Sequence, residues 1–263
     1  MASVNDILRF VEQLAPQYMK EEWDNVGLLC GEGDREVTKI LVALDPFMHV
    51  CEEASECGAE LIVTHHPLIF SPMKSVTDRD PVGRCVLYLI QNGIAAINAH
   101  TNLDQTPGGV NDVLAEKLGL RDVSLLNPCG QDENGDDWGL LRAGTVEETS
   151  LAEFACFVKE RLNCPGLRFV DAGRAVNRVA VGGGSCGGGL YEVASAGCDT
   201  FVTADVKYNQ FWDALEYGVN LIDAGHFETE NPVCAALADA LREEFPEIEV
   251  VLSEKHGDPV QFL

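Results

Sequence analysis

Four of the six histidines in this 263-residue chain stand in three short polar clusters, two of which also contain carboxylates. Each cluster directly follows a short apolar run. Imidazole and carboxylate together are the ligands that proteins offer to zinc, iron, manganese, cobalt or nickel, whereas an all-oxygen set would suit magnesium or calcium. The pattern therefore predicts a transition-metal site. The clustered residues are His65, His66, His100, Asp104, His226 and Glu230.

The number of these residues exceeds what one ion requires. Five or six ligands are more than a tetrahedral zinc needs, and with one shared carboxylate they suit two metal ions about 3.5–4 Å apart. His226 and Glu230 are four positions apart, so they would share one face of a helix that begins there. A proline and a glycine soon after Asp104 argue against a helix at that position. The predicted ligands of two divalent transition-metal ions (Zn, Fe, Mn, Co or Ni) are His65, His66, Asp104, His226 and Glu230.

Two further residues are candidates for catalysis. A metal-dependent hydrolase needs a group that moves protons within hydrogen-bonding distance of the reacting bond. His100 is interpreted as that group or as a residue that orients a ligand, and Asp205, at the end of a second-half strand, is the other candidate. Glu228 is interpreted as a solvated neighbour of the ligands. The remaining histidines are interpreted as surface residues or satisfied polar groups.

The elements that would position these clusters alternate between strand and helix. Apolar strands are predicted at 39–45, 61–64 and 94–99, with helices at 46–57 and 81–91. This order indicates a largely parallel, buried sheet, and in such sheets ligands gather beyond the carboxyl ends of the strands. A first helix capped by Ser3, a helix at 232–244 and a strand at 248–252 complete the prediction. The last two could pack on either half.

The second half of the chain repeats this plan. A shift of 139 positions lays Gly58 on Gly197 and Thr64 on Thr203, and a shift of 125 lays Gly93 on Gly218. Two matches in the same order favour an internal duplication. We therefore predict two similar α/β domains, 1–126 and 127–263, with the metal site between them. The polar segment 127–137 is interpreted as a linker or an exposed loop.

Composition narrows the classes of partner. Eighteen basic and 43 acidic residues give a net charge of −25, which argues against general nucleic-acid binding because phosphates require clustered lysine and arginine. No apolar run reaches the length of a membrane span, and no secretory signal precedes the first helix. The ten cysteines include no Cys-x-x-Cys pair and are interpreted as small packing residues. A cytoplasmic location is expected.

The glycine-rich run GGGSCGGG at 182–189 permits three interpretations. It satisfies G-x-G-x-x-G, and Asp205 lies where a ribose-binding acid would be expected, so the first interpretation is a dinucleotide-binding site. Backbone N–H groups that hold a substrate phosphate are the second. The third and favoured interpretation is a tight turn between a strand and a helix, because a run with six glycines satisfies the dinucleotide pattern almost automatically.

Four segments together resemble a known family. The resemblance to the Nif-three-like dinuclear metal proteins, whose members are often called GTP cyclohydrolase I type 2 homologues, covers nearly the whole chain. Ala204 and Asn209 depart from a motif in which the family usually has Thr-Gly-Asp and often a final histidine. The matching segments are WDNVGLLCG (23–31), VTHHPLIF (63–70), NAHTNLD (98–104) and DAGHFETE (223–230).

The resemblance implies a two-domain subunit in a ring-shaped hexamer, with metal sites that face an internal cavity. It also implies that His65 and His66 serve different ions, that Asp104 binds one and His226 the other, and that Glu230 lies between them. The expected function is a metal-dependent hydrolase, similar to GTP cyclohydrolase type 2, acting on a nucleotide-like or other small substrate. The alternative is a non-catalytic metal-binding scaffold or a regulatory interaction protein.

Overall fold

The computed structural model describes residues 2–263, and the chain divides into two compact units. Unit 1 is the chain up to Leu103 together with Cys234–Gly257, and unit 2 is Asp104–Val233 together with Asp258–Leu263. Most of the C-terminal helix and all of the last strand thus belong to unit 1. The predicted halves 1–126 and 127–263 describe a repeat in the sequence, whereas the two units are compact groups of residues. The units therefore do not test the duplication, and the division into halves stays a prediction.

Helices and strands alternate through much of both units. The helices are α1 (Val4–Leu14), α2 (Met48–Cys57), α3 (Pro81–Asn92), α4 (Thr101–Gln105), α5 (Val110–Lys117), α6 (Leu151–Arg161), α7 (Leu190–Ser195), α8 (Tyr208–Tyr217), α9 (His226–Glu230) and α10 (Pro232–Glu244). The strands are β1 (Gly27–Cys30), β2 (Lys39–Ala43), β3 (Leu61–Thr64), β4 (Ala95–Asn98), β5 (Arg121–Leu125), β6 (Gly130–Gln131), β7 (Asp137–Trp138), β8 (Arg142–Thr149), β9 (Arg168–Val170), β10 (Val176–Val181), β11 (Thr200–Thr203), β12 (Asn220–Asp223) and β13 (Glu249–Leu252).

Unit 1 contains a five-stranded sheet with the order β1-β4-β3-β2-β13. The strands from β4 to β13 are parallel and β1 is antiparallel to β4. Strands β3 and β4 are buried along their whole length, as expected for parallel strands covered on both faces. Helices α2 and α3 end at Gly58 and Gly93, whose positive φ angles of 76° and 63° suit glycine. The predicted parallel α/β sheet is confirmed.

Helix α1 begins as the sequence predicts. The Ser3 hydroxyl accepts a hydrogen bond from the Asp6 N–H (3.2 Å), and the Asp6 carboxylate accepts one from the Ser3 N–H (2.7 Å). This reciprocal pair satisfies two N–H groups that a helix start leaves without an intrahelical partner. Val4, Ile7 and Val11 form the buried face of the helix. Spacing and cap together therefore determine this element locally.

Unit 2 contains a six-stranded sheet with the order β5-β8-β10-β11-β12-β9. Its central strands β10, β11 and β12 are parallel, and β5, β8 and β9 pair antiparallel to their neighbours. Gly197 and Gly218, the predicted counterparts of Gly58 and Gly93, have φ angles of 74° and 67° and follow α7 and α8. Each unit therefore carries helix, glycine and parallel strand in the same succession.

Two local predictions need correction. The segment 127–137, interpreted as a linker or exposed loop, contains β6 and the first residue of β7, which form a small antiparallel pair within unit 2. The region after His100, where the following proline and glycine argue against a helix, forms the five-residue helix α4, which ends before Pro107. Across residues 2–263, no helix combines the length and apolar character that crossing a membrane requires.

Candidate metal centre

Three histidines of unit 1 lie together at the carboxyl ends of two neighbouring parallel strands. His65 and His66 follow β3 and His100 follows β4, and Thr64 is paired with Asn98 in the register of these strands. One ring nitrogen of each histidine lies within 4.8 Å of one ring nitrogen of the other two. The ring centroids of His65 and His66 are 4.9 Å apart, and the centroid of His100 is 5.2 Å from that of His65 and 5.6 Å from that of His66. We call this group the histidine cluster.

Each imidazole of the histidine cluster is held through its Nδ1 atom. His65 Nδ1 is 2.9 Å from the Ala99 carbonyl oxygen, His66 Nδ1 is 2.7 Å from Asp45 Oδ1, and His100 Nδ1 is 2.8 Å from Asp24 Oδ1. Carbonyl and carboxylate oxygens only accept hydrogen bonds, so the proton is assigned to Nδ1 in all three rings. Nε2 is then the nitrogen with a lone pair to offer, as in metal-binding histidines oriented by a carboxylate or a carbonyl.

Asp24 is the most strongly fixed of these anchors. Burial raises the pKa of its carboxyl, but hydrogen bonds from His100 and Thr101 outweigh burial and hold that pKa well below its ordinary value. The side chain accepts from both the backbone N–H and the hydroxyl of Thr101. Asp24 is therefore a carboxylate at neutral pH. It fixes both the orientation and the tautomer of His100.

In unit 2, two candidate ligands lie at the two ends of helix α9. His226 Nε2 is 3.0 Å from Glu230 Oε2, as the spacing of four predicts. A carboxylate oxygen of Asp104 lies within 4.8 Å of one from Glu230, and both residues are buried. We call Asp104, His226 and Glu230 the carboxylate cluster.

Asp205 is placed beside His226. Its Oδ2 atom is 2.7 Å from His226 Nδ1, so it orients this imidazole as the aspartates of unit 1 orient theirs. Its φ angle of 52° lies in the left-handed region, which non-glycine residues seldom occupy. The structure thus gives Asp205 a partner within the site. Its predicted catalytic role stays a prediction, as does that of His100.

The glycine-rich run encloses Glu230. A Cβ atom at Gly184 would lie 2.0 Å from Glu230 Oε1 and 3.1 Å from His226 Nε2, and φ there is 60°. The Gly183 N–H donates to Asn111 Oδ1 (2.7 Å) and the Gly184 N–H to the Thr229 hydroxyl (2.9 Å). These amides therefore bind protein atoms rather than facing outward toward a phosphate. The favoured interpretation, a tight turn, agrees with this geometry, and the glycines additionally make room for a candidate ligand.

Asn111 is a functional candidate that the sequence did not reveal. It is fully buried, and its Nδ2 atom donates to the Asp104 carbonyl oxygen (3.0 Å) while its Oδ1 accepts from Gly183. One amide side chain therefore joins the backbone at Asp104 to the turn that encloses Glu230. Asp24, Asp45 and Thr229 were missed as well. Asp45, the last residue of a predicted strand, carried a positional signal, and Asp24 and Thr229 lie in the segments 23–31 and 223–230 that resemble the family.

Three further residues near the candidate ligands or their anchors are buried or hydrogen-bonded. Glu228 is not solvated as predicted but buried, with only 7% of its surface exposed, and burial followed by the nearby Asp258 raises its pKa. Cys186 lies near two carboxylates: burial first, then Asp104 and Glu230, raise the pKa of its thiol well above the ordinary value. His256 accepts a hydrogen bond from the Leu44 N–H (3.1 Å) and is satisfied as predicted.

The donor chemistry of both clusters fits a transition-metal ion. Imidazoles with anchored Nδ1 atoms and buried carboxylates are suited to zinc, iron, manganese, cobalt or nickel. In the histidine cluster one ring nitrogen from each of three imidazoles lies within 4.8 Å of the other two, a convergence that a purely structural polar network would not require. Fold and site therefore define an α/β protein with buried histidine, glutamate and aspartate groups that could hold a metal ion.

Comparison with known proteins identifies the family. The model of the Duf34/NIF3 (NGG1p interacting factor 3) family matches residues 2–259. A GTP cyclohydrolase 1 type 2 homolog of Clostridium perfringens is 35% identical, with 99% of each chain covered. A Bacillus cereus protein related to NIF3 has a TM-score of 0.93 at 26% identity, covering 100% of this chain and 99% of its own. A hypothetical protein of Staphylococcus aureus has a TM-score of 0.91 at 33% identity, covering 99% of each chain. The chain belongs to the DUF34/NIF3 family.

Proposed function

We propose that the chain is a metal-dependent hydrolase with a dinuclear centre, acting on a nucleotide-like or other small substrate. The proposed ligands are His65, His66, Asp104, His226 and Glu230. The observation that carries the proposal is the shared geometry of four histidines, each with Nδ1 held by an oxygen acceptor. The name of the Clostridium perfringens relative supports a purine nucleotide as the first substrate to test.

The protein side chains would divide the work of hydrolysis. When bound, divalent transition-metal ions supply Lewis acidity and allow a nucleophile to form at neutral pH. His100 is proposed to hold or move a proton at Nε2, because the carboxylate of Asp24 fixes the opposite nitrogen as a donor. Asp205 has the corresponding place beside His226, with a side chain 54% exposed, and is the second candidate for proton exchange with solvent.

Metal content and turnover together test this proposal. Gently purified protein should contain about two transition-metal ions per chain. His66→Ala and Glu230→Ala should each lower that content sharply, whereas His49→Ala, at an exposed histidine outside both clusters, should leave it unchanged. Protein loaded with manganese, iron or zinc is then screened against GTP, other nucleotides and phosphoesters. Turnover that persists in both ligand variants would contradict the proposal.

A non-catalytic role is the alternative. The family description refers to an interacting factor, which favours a scaffold or regulatory protein whose metal ions stabilise the fold. In that case metal should raise the melting temperature, since an ion that binds only the native state stabilises it. No substrate class should then be turned over. The two proposals therefore make opposite predictions for the same loaded protein.

Assembly and location are proposed from the resemblance alone. We propose a homohexamer in the cytoplasm, to be tested by sedimentation velocity of the purified chain. Sedimentation as a monomer at micromolar concentration would overturn the hexamer. The metal measurements above do not depend on this result.

A further inference from the structure

Two large aromatic side chains of unit 1 are exposed beside the histidine cluster. Trp23 is 60% exposed and Phe70 is 55% exposed. Their ring centroids are 5.7 Å apart and the planes are inclined by 51°. Isolated exposed aromatics are common on protein surfaces, but an adjacent pair is a contiguous apolar surface of the kind that marks binding sites. We call Trp23 and Phe70 the aromatic pair.

The aromatic pair contacts a residue of the histidine cluster. The centroids of Trp23 and Phe70 each lie 6.2 Å from that of His100, at interplanar angles of 74° and 75°. These distances are within the range in which aromatic rings attract one another edge to face. The backbone fixes the arrangement further, since Trp23 precedes the His100 anchor Asp24 and Phe70 follows His66 by four residues. The pair is therefore held at the edge of the candidate centre.

Charge restricts what such a surface can bind. The chain carries a net charge of −25, so a phosphorylated substrate approaches an acidic protein and is repelled at long range. Affinity for such a substrate must come from bound cations and from neutral contacts. Aromatic side chains supply neutral contacts to any planar ring, because base stacking requires no charge. The aromatic pair offers this kind of contact beside a cluster suited to cations.

We propose that Trp23 and Phe70 form a subsite that binds the planar heteroaromatic ring of the substrate by stacking. The inference rests on the proposed function for the reaction itself, and it names the substrate class as nucleobase-like. The ring would lie against the aromatic pair while the bond to be hydrolysed lies at the histidine cluster. A second protein chain could also cover exposed aromatics, and the experiment separates that outcome.

The test compares two ligands that differ by the presence of a purine base. Binding of guanosine 5′-monophosphate and of ribose 5-phosphate to zinc-loaded protein is measured by isothermal titration calorimetry. We expect the nucleotide to bind at least about 10-fold more tightly than the sugar phosphate. Trp23→Leu and Phe70→Leu should each weaken nucleotide binding about 5- to 100-fold, with little effect on ribose 5-phosphate. Trp23→Phe, which retains a ring, should retain most of the affinity.

A matched control is available in unit 2. Trp212 on helix α8 is 56% exposed, so Trp212→Leu removes a comparable surface indole outside the aromatic pair and should bind both ligands like the unaltered chain. Equal affinity for the two ligands, equal losses in Trp23→Leu and Trp212→Leu, or no binding by the loaded protein would each overturn the inference. A lower sedimentation coefficient of Trp23→Leu, with unchanged nucleotide affinity, would assign the pair to a protein interface instead.

The experiments distinguish failure of the proposed stacking subsite from failure of the proposed hydrolase function. Ring-dependent binding without turnover on any nucleotide would retain the subsite and remove the hydrolase. Turnover that is insensitive to Trp23→Leu and Phe70→Leu, in KM as well as in kcat, would retain the hydrolase and remove the subsite. Zinc content measured on the same samples shows that any lost affinity does not arise from lost metal.

Discussion

The histidine cluster of unit 1 and the carboxylate cluster of unit 2 orient imidazoles by the same device but with different rigidity. His100 is 14% exposed and its anchor Asp24 is fully buried, whereas His226 is 36% exposed and its anchor Asp205 is 54% exposed. A buried anchor interacts more strongly with its partner than one screened by water. In unit 1, buried acceptors therefore fix the positions of the imidazole nitrogens. In unit 2, the candidate ligands are instead fixed mainly by the close packing around Glu230.

The largest expected effect comes from disturbing that packing. Gly184→Ala would place a Cβ atom 2.0 Å from Glu230 Oε1, at a φ angle of 60°. Strained backbone of this kind costs roughly 1–3 kcal/mol, and Glu230 must move in addition. We expect a lower melting temperature and loss of bound metal, as measured by differential scanning calorimetry and elemental analysis.

Gly188→Ala is the matched control for this experiment. Apart from the adjacent residues of the chain, a Cβ atom there would meet no described heavy atom within 4 Å. Its stability and metal content should remain close to those of the unaltered chain. If both alanine variants retain their metal, the turn does not position Glu230. The statement that close packing fixes the carboxylate cluster would then be wrong.

An intermediate effect is expected from the two anchors. Asp45→Asn, which removes the acceptor that holds the Nδ1 atom of the proposed ligand His66, should lower zinc affinity about 10- to 100-fold, the usual cost of losing a residue that orients a metal-binding histidine. Asp205→Asn should cost less, because solvent already competes for this exposed carboxylate. Competition with a chromogenic chelator measures both affinities. Equal losses, or a greater loss in Asp205→Asn, would reverse the proposed order of rigidity.

The smallest effect concerns acid stability of unit 1. Burial lowers the pKa of His256 below its ordinary value of 6.5, and its Nδ1 accepts from the N–H of Leu44, the residue before the anchor Asp45. A lowered histidine pKa contributes stability above the unfolded pKa, and this is lost as pH falls through 6.5 toward the folded pKa. In metal-free protein, urea unfolding should therefore show a lower free energy of unfolding at pH 5 than at pH 7.

His256→Gln should lose less of its unfolding free energy over the same interval. His49→Gln removes a charge that helps to lower the pKa of His256, so its loss should lie between those of the unaltered chain and of His256→Gln. Parallel curves for the unaltered chain and His256→Gln would show that protonation of His256 does not weaken unit 1.

Much of the site could be predicted because strands and helices constrain short stretches of sequence. The apolar run 61–64 indicates a buried parallel strand, and residues that follow such a strand lie at the edge of the sheet where ligands bind. The spacing of His226 and Glu230 predicts their contact through helix geometry alone, and that contact is observed at 3.0 Å. Both predictions depend on fewer than ten consecutive residues.

The partners that orient these ligands could not be predicted in the same way. Asp24 and His100 are 76 positions apart, and Asn111 and Gly183 are 72 apart. Chain folding brings such residues together, and no local period records it. Glu228 illustrates the same limit, since a glutamate between two candidate ligands resembles a solvated neighbour until packing shows that it is buried.

The sequence by itself determined which residues are candidate metal ligands and at which strand and helix ends they lie, because hydrophobic periodicity and caps act over a few residues. Only the tertiary structure decided which nitrogen of each imidazole is held, why Gly184 has no side chain, and that exposed aromatics accompany the histidine cluster. These features arise from contacts between distant segments, whose energies depend on packing geometry rather than on residue order.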